Sequence, residues 1–283
     1  MIRIILKLTI ALIVLVSTLA NAQDFQGKAT YQTKIKIDET IKKRMDSSKM
    51  SDDRKAFFMK MMKKRMERVY ELDFNKTESI YKEDKKLEAP SETSRFNRST
   101  NDVLYKNTKE NTFKNKKESF GKIFLITDDL SAYDWKLGKE SKMIGKHLCF
   151  KATAEKEVKN DMARFKRFAK KEKETKKDSL AIKKSKLTKI TAWYTPEIPI
   201  NHGPADYYGL PGLILEVSAG NYQILCTKIV LNPKEKTVIT APTKGKEISQ
   251  KEYDTLMEKK MKEMREQYQN NRKKGGSSRR HKF

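Results

Sequence analysis

The stretch WYTPEIPINHGPADYYGLPGLILEV, residues 193–217, holds the side chains with the clearest potential for chemistry. His202 and Asp206 lie four residues apart beside Tyr207 and Tyr208, and such side chains can bind a metal ion or transfer a proton. Prolines and glycines interrupt the segment, so the pair lacks the fixed spacing that a helix would give it. We therefore expect no metal site here, and a loop histidine hydrogen-bonded to backbone.

Two further reactive side chains, Cys149 and Cys226, lie in the strand-like runs KHLCFKA and YQILCTKIV. In an oxidising compartment they can form a disulfide if their strands are neighbours in a sheet. Alternatively, each cysteine is a small buried apolar residue. The sequence leaves both possibilities open.

Other motifs of catalysis or cofactor binding do not occur in the sequence: there is no G-x-S-x-G, H-E-x-x-H, C-x-x-C or glycine-rich phosphate loop. Thioethers can bind Cu(I), but methionines at helical spacing more often belong to a core. The methionines in question are Met59, Met61, Met62 and Met66. We predict a non-enzymatic protein with no cofactor.

The first 22 residues, MIRIILKLTIALIVLVSTLANA, have the pattern of an export signal. Arg3 and Lys7 flank an apolar stretch that ends in an A-x-A site at Ala20 and Ala22. A membrane anchor is the alternative, because the apolar stretch approaches spanning length. We expect a signal peptide cleaved after residue 22 and an exported protein that is periplasmic, associated with the outer membrane or secreted.

The chain is strongly basic, with 63 Lys and Arg against 37 Asp and Glu and a formal net charge of +26. Such a balance is typical of nucleic-acid-binding proteins. An exported protein seldom meets nucleic acid, so we predict no nucleic-acid partner. We expect the basic segments to contact an anionic surface of the cell envelope instead.

Alternation of apolar and polar residues predicts mainly strands for residues 23–248. A helix is expected at about 51–68 and a charged helical insertion at about 155–186. The apolar stripe of the first helix consists of Phe58, Met61, Met62 and Met66. The predicted fold class is therefore mainly β with peripheral helices (α+β), built on a curved antiparallel sheet or half-barrel.

The C-terminal part of the sequence predicts a further helix. Ser249 and Glu252 have the spacing of a capping box, which indicates an amphipathic helix over residues 249–269. Its apolar stripe consists of Tyr253, Met257, Met261, Met264 and Tyr268. Residues 270–283 are basic and lack periodicity, which predicts a disordered tail.

The hexapeptide GLPGLI predicts a tight corner followed by a strand. Pro211 suits position i+1 of a type II turn, and Gly212 supplies the positive φ of position i+2. In the strand that follows, Leu213, Leu215 and Val217 are expected on one face. The motif would then be an ordered loop between two strands.

Residues 193–217 resemble the signature of the GLPGLI family, a group of exported proteins found chiefly in Bacteroidota. The upstream DWKLGKESKMIGKHLCFKAT also resembles the family, so the likeness extends over about residues 25–235. The motif residues, with a structural or docking role, are Trp193, Tyr194, Pro199, Gly203, Pro204, Gly209, Leu210, Pro211, Gly212, Leu213 and Ile214. The resemblance implies a β-rich exported protein without an established activity, often encoded near TonB-dependent outer-membrane receptors. The order of elements is also similar to the half-barrel of periplasmic lipoprotein-carrier proteins.

Two functions are compatible with these features. A binding or carrier module would hold an apolar or amphiphilic ligand under the helix at 51–68, against aromatic walls that include Trp193, Tyr208 and Phe150. An accessory interaction protein would instead dock an outer-membrane receptor through the GLPGLI loop and an exposed strand edge. A third interpretation concerns the motif alone and gives it a purely structural role as a corner.

Overall fold

The computed structural model describes residues 25–35, 46–47, 50–84, 101–157 and 187–277. This part of the chain is mostly β, with twelve strands in one open sheet and two helices. The strands are β1 (Gly27–Ile35), β2 (Val69–Phe74), β3 (Glu78–Glu83), β4 (Val103–Asn107), β5 (Thr112–Ser119), β6 (Lys122–Asp129), β7 (Lys136–Ile144), β8 (His147–Glu157), β9 (Leu187–Thr195), β10 (Leu213–Ala219), β11 (Tyr222–Leu231) and β12 (Lys246–Ile248). The helices are α1 (Asp52–Met66) and α2 (Gln250–Ser277).

The sheet consists of two antiparallel meanders that β1 joins. Strands β2 to β6 form one meander and β7 to β11 the other, and β1 pairs with both β2 and β11. The short β12 adds to β6 in parallel, so β12 and β7 are the edges of the sheet. The predicted short strands are thus confirmed, while the parallel β12 is an addition that no sequence pattern indicated.

The turn between β2 and β3 follows from one side chain. The Oδ1 atom of Asn75 accepts hydrogen bonds from the backbone N–H groups of Thr77 (2.9 Å) and Glu78 (2.7 Å). An asparagine that bonds to the backbone two and three residues ahead replaces a backbone turn. Asn75 therefore fixes the hairpin turn between β2 and β3.

Helix α1 begins and ends close to its predicted bounds, but one residue of its predicted apolar stripe is exposed. Lys55 and Met59 are half-buried, and the helix packs against β1. Phe58, which the sequence placed in the buried stripe, is 42% exposed. Of the predicted stripe, Met61 is half-buried as expected, so the prediction was wrong for Phe58.

Helix α2 begins at the predicted capping box. The N–H of Ser249 donates to Oε2 of Glu252 (2.9 Å), and the N–H of Glu252 donates to Oγ of Ser249 (3.3 Å). Its first turns pack on the sheet, where the ring of Tyr253 contacts that of Phe124 at a centroid distance of 5.6 Å. The helix extends to Ser277, so residues 270–277, predicted as disordered tail, are helical.

Strand β10 is buried on both faces, and a β-bulge changes the alternation of its side chains. Leu213 and Leu215 belong to the largest core cluster, whereas Ile214 and Val217 belong to a second cluster with Tyr194. The pairing of β10 with β9 shifts between Ile214 and Glu216, and such a shift moves later side chains to the other face. The prediction that Val217 shares a face with Leu213 was wrong for this reason.

Several predicted segments lie outside the described residues. They are the export signal at 1–22, residues 158–186 of the predicted insertion, and residues 278–283 of the tail. Residues 155–157, assigned to the helical insertion, are the end of strand β8. Within the described ranges, neither helix has a stretch of sufficient length and apolarity to span a membrane.

Candidate functional site

Residues 196–212, which connect β9 to β10, fold into a compact loop that we call the motif loop. The chain folds back on itself so that the end of the loop bonds to its beginning. The N–H of Leu213 donates to the carbonyl of Ile198 (3.0 Å), and the N–H of Ile214 donates to the carbonyl of His202 (3.1 Å). These two bonds hold the end of the motif loop against its first half.

The Pro-Gly corner of the motif loop is tighter than the predicted type II turn. The N–H of Gly212 donates to the carbonyl of Leu210 (2.8 Å), which closes a three-residue γ-turn on Pro211. Gly212 does not have a positive φ, whereas Gly209 does (φ +90°). The type II prediction was wrong because the N–H of Leu213, which would close that turn, bonds to Ile198 instead.

Close approach of backbone explains the glycine at position 212. A Cβ atom added to Gly212 would lie 2.2 Å from the carbonyl oxygen of Thr195 and 2.6 Å from its carbonyl carbon. Neither atom can move easily, since Thr195 is the last residue of β9 and pairs with Leu213. Only a residue without a side chain fits between these two strands.

A buried lysine from the meander of strands β2 to β6 holds the motif loop. Lys106 of β4 has no exposed surface, and its Nζ donates to the carbonyls of Gly203 (2.8 Å), Ala205 (2.7 Å) and Tyr207 (3.1 Å). Burial lowers the pKa of the Lys106 ammonium to about 7. All three donors of the ammonium are engaged, so Lys106 acts as a clamp on the loop and has no donor left for a ligand.

His202, the candidate metal ligand or base, is enclosed by the loop and fully buried. Within the described part of the chain neither ring nitrogen has a hydrogen-bond partner, so the expected bond to backbone is not formed. Burial, and secondarily the charge of Lys106, lowers the pKa of His202 to about 3. His202 is therefore a neutral core residue at neutral pH.

Acidification should lower the free energy of unfolding, because the buried imidazole of His202 resists protonation. The folded-state pKa of His202 is about 3, whereas an unfolded histidine titrates near pH 6.5. The contribution of the neutral imidazole to the free energy of unfolding is therefore complete above pH 6.5 and is lost as the pH falls towards 3. Between pH 7.5 and 5.0 we expect the wild type to lose about 2 kcal/mol relative to His202→Leu, measured by urea unfolding. Parallel slopes of stability against pH for wild type and His202→Leu would contradict this assignment.

The structure does not combine His202 and Asp206 in one site. The Asp206 carboxylate accepts hydrogen bonds from the Tyr133 hydroxyl (2.7 Å) and from Nζ of Lys156 (3.0 Å). Among the described residues there is no group of three or more His, Cys, Asp or Glu side chains that could hold a metal ion. Asp206 instead attaches the loop to the end of β8.

An aromatic cluster supports the same part of the motif loop. The ring of Tyr133 stacks on that of Trp135 (centroids 5.1 Å apart) and lies 5.5 Å from that of Tyr207. The Nε1–H of Trp135 donates to the carbonyl of Tyr208 (2.9 Å), and the ammonium of Lys156 lies 4.3 Å from the Tyr133 ring centre. The segment before β7 and the motif loop are thus one packing unit.

The predicted motif residues divide by burial. Seven are buried: Tyr194, Gly203, Pro204, Leu210, Gly212, Leu213 and Ile214. Trp193 is half-buried under the ammonium of Lys142, and Pro199, Gly209 and Pro211 are exposed. Most of the motif therefore belongs to the interior, which agrees with a structural role more than with a docking surface.

Cys149 and Cys226 are both buried and both free thiols, so of the two possibilities the structure has the small buried residue and not the disulfide. Cys149 lies on β8 and Cys226 on β11, with β9 and β10 between them, whereas a bridge would need neighbouring strands. Burial raises the pKa of Cys149 to about 11 and that of Cys226 to about 12. Both behave as small core residues of low reactivity.

A cleft of about 740 Å³ lies beside the motif loop. Strands β4 to β6, the start of α2, Lys156 of β8 and the loop itself form its walls. Its apolar residues are Leu104, Phe113, Leu130 and Tyr208, and its charged residues are Lys106, Lys117, Lys156, Lys251, Asp128, Asp129, Asp206 and Asp254. Lysines and aspartates are equal in number, so the cleft is charge-balanced in a chain of net charge +26.

Only one of the three predicted aromatic wall residues lines this cleft. Tyr208 does so, while Trp193 packs against the largest core cluster and Phe150 lies 6.4 Å from Tyr194 in the second cluster. The sequence did not indicate Lys106, Phe113 or the start of α2 as part of a site, because each reaches the motif loop only through the pairing order of the sheet.

One family model matches the part of the chain that contains Trp135 and the motif loop. Residues 135–216 match the model of a family described as a protein of unknown function (Porph_ging). The match begins at the tryptophan that bonds to Tyr208 and ends within β10. No curated protein matches this sequence.

Two solved structures of PNGF-II, in C2 and P21 crystal forms, are similar in part to this chain. Each has a TM-score of 0.47, with sequence identities of 14% and 13%. The similarity covers 82% of this chain but only 32% and 33% of the PNGF-II chains. The chain thus spans about a third of the length of the solved structures it matches.

Proposed function

We propose that this protein is an exported binding or carrier module of the bacterial cell envelope that holds an amphiphilic ligand in the cleft beside the motif loop. The single observation that carries the proposal is the cleft of about 740 Å³ with both apolar and charged walls. Its volume lies within the range of small-molecule sites, roughly 300–1,000 Å³. The leader at residues 1–22 and the GLPGLI-like motif support an exported protein of that family.

The contacts of the cleft also support a half-barrel. Lys156 of β8 lines the same cleft as Lys117 of β5 and Asp128 of β6, although β8 lies near the opposite end of the sheet. A flat sheet with strands about 4.8 Å apart would hold these residues well apart. A sheet that curves around the motif loop brings them together, as in the half-barrel of lipoprotein-carrier proteins.

The charge balance of the cleft indicates the class of ligand. Leu104 and Phe113 provide apolar contact, while Lys251 and Asp129 offer charges of both signs. A polyanion would meet as many carboxylates as ammonium groups, so it gains little there. We therefore propose an amphiphile with a zwitterionic or uncharged polar head. Binding rather than catalysis is supported by the engagement of Lys106 and the burial of His202.

Filling the cleft tests this function. Ser131 is exposed and lines the cleft, whereas its exposed neighbour Ala132 does not. We expect Ser131→Trp to weaken binding of the uncharged fluorescent probe N-phenyl-1-naphthylamine by about tenfold, since each tenfold corresponds to about 1.4 kcal/mol. The matched control Ala132→Trp should bind the probe like the wild type. Equal binding by both variants would show that the probe does not occupy this cleft.

The alternative function, docking to a TonB-dependent outer-membrane receptor, has one observation in its favour. Strand β7 is an edge of the sheet, and its Leu137 and Met143 are 60% and 59% exposed. An exposed edge can accept a strand from a partner. Its lysines at 136 and 139 and its bulge between Leu137 and Ser141 are features that oppose edge pairing, so we rank this function second.

A further inference from the structure

Helix α1 presents two neighbouring phenylalanines to solvent. Phe57 is 63% exposed and Phe58 is 42% exposed, whereas Phe74 and Phe124 are buried in the core. Contiguous exposed apolar side chains can mark an interaction surface, whereas single scattered ones need no explanation. The motif loop and the cleft do not use this surface, because neither residue lines the cleft or belongs to a core cluster.

Helix α1 carries both half-buried and exposed side chains. Among its described side chains Lys55, Met59 and Met61 are half-buried, and the helix packs against β1. Arg54, Phe57 and Phe58 follow each other at i, i+3 and i+4, which places them on one face of a helix. All three are exposed, so the first turns of α1 offer an aromatic and basic face that ends at the half-buried Met61.

The charge of α1 indicates what covers this face. The helix contains six basic residues and only two acidic ones, Asp52 and Asp53, both in its first turn. Two copies of this face would repel each other, whereas an anionic surface attracts it. Exposed aromatics beside lysine and arginine are the pattern of a helix that lies in a membrane interface.

We propose that α1 docks the protein onto an anionic lipid surface, with Phe57 and Phe58 inserted at the headgroup level and Arg54 and Lys60 beside the lipid phosphates. This surface of α1 is separate from the proposed ligand cleft, and its partner is a membrane surface instead of a small ligand. The helix would lie in the plane of the interface and bury only its aromatic face.

Vesicle binding tests the proposal with the protein purified in its exported form. Wild type should co-sediment with vesicles of phosphatidylcholine and phosphatidylglycerol, and the double variant Phe57→Ser/Phe58→Ser should partition at least about tenfold more weakly. Val238→Ser, which removes an apolar side chain that is 81% exposed elsewhere, is the matched control and should bind like the wild type. Binding should also weaken as salt rises, through screening of the lipid charge.

A tryptophan at the tip of the face gives a direct readout that does not depend on loss of binding. The emission of Phe57→Trp should shift to the blue when anionic vesicles are added, relative to the shift of the wild type, which contains Trp135 and Trp193. No additional shift, or equal partitioning of the wild type and the double serine variant, would overturn the proposal. A dimer in light scattering that the serine variant abolishes would overturn it too, in favour of a second copy of the chain.

The ligand cleft and the membrane docking of α1 can be tested independently. Probe binding in the cleft should be unchanged in the double serine variant, and vesicle binding should be unchanged in Ser131→Trp. Because the substituted phenylalanines are exposed, the thermal unfolding of the double variant should match that of the wild type.

Discussion

Alanine at position 212 is expected to destabilise the fold by about 3 kcal/mol, although it adds only one methyl group. The added Cβ would lie 2.2 Å from the carbonyl oxygen of Thr195, so the strands β9 and β10 would have to separate at the start of their pairing. The displaced Leu213 and Ile214 are both buried, and their packing would be lost in part. Urea unfolding of Gly212→Ala at neutral pH measures the loss.

Pro211→Ala is the matched control for this substitution. Pro211 is exposed and its replacement adds no atom near Thr195, so only the stiffness of the unfolded chain changes, at a cost of roughly 0.4–1 kcal/mol. An equal effect of the two substitutions would mean that the corner acts through chain stiffness. A Gly212→Ala variant as stable as the wild type would refute the close approach of the two strands.

The second large effect is expected at the buried lysine of β4. Lys106→Met retains most of the aliphatic chain but leaves the carbonyls of Gly203, Ala205 and Tyr207 without their donor. Removing a buried charge recovers part of its desolvation cost, yet three acceptors lose their partner at about 1–3 kcal/mol each when buried. We expect a net loss of about 2–4 kcal/mol in the free energy of unfolding.

Lys109→Met serves as the control, because Lys109 is exposed in the turn that follows β4 and should change stability by less than about 0.5 kcal/mol. Hydrogen exchange adds a local readout, since the amides of Gly209 and Leu213 should lose protection in Lys106→Met but not in Lys109→Met. Unchanged protection together with unchanged stability would show that the lysine does not hold the loop.

Local signals explain which parts of the fold the sequence predicts. The side chain of Asn75 forms the β2–β3 turn by itself, and Ser249 and Glu252 cap α2 by themselves. A few neighbouring residues are therefore enough to predict each feature. The alternation in β1 likewise predicts the buried Tyr31 and Thr33. Each of these rests on contacts within a turn or a strand.

Contacts between distant segments explain what the sequence does not predict. Lys106 lies 97 to 101 residues before the carbonyls that it contacts, so no pattern around it signals the clamp. The sequence predicted a positive φ for Gly212, which it does not have. Its real constraint is the close approach of Thr195 on strand β9, which cannot be seen in the turn sequence itself. The free thiols of Cys149 and Cys226 likewise follow from the order of strands in the sheet, which propensity and periodicity do not fix.

Mass spectrometry of the lipid extract from exported protein, purified without detergent, tests the central claim most directly. The proposed function predicts that one class of amphiphile with an uncharged or zwitterionic head is recovered in near-stoichiometric amount from the wild type and from Ala132→Trp, and is depleted from Ser131→Trp. Recovery of no amphiphile from the wild type, or of equal amounts from all three proteins, would contradict a ligand site in the cleft.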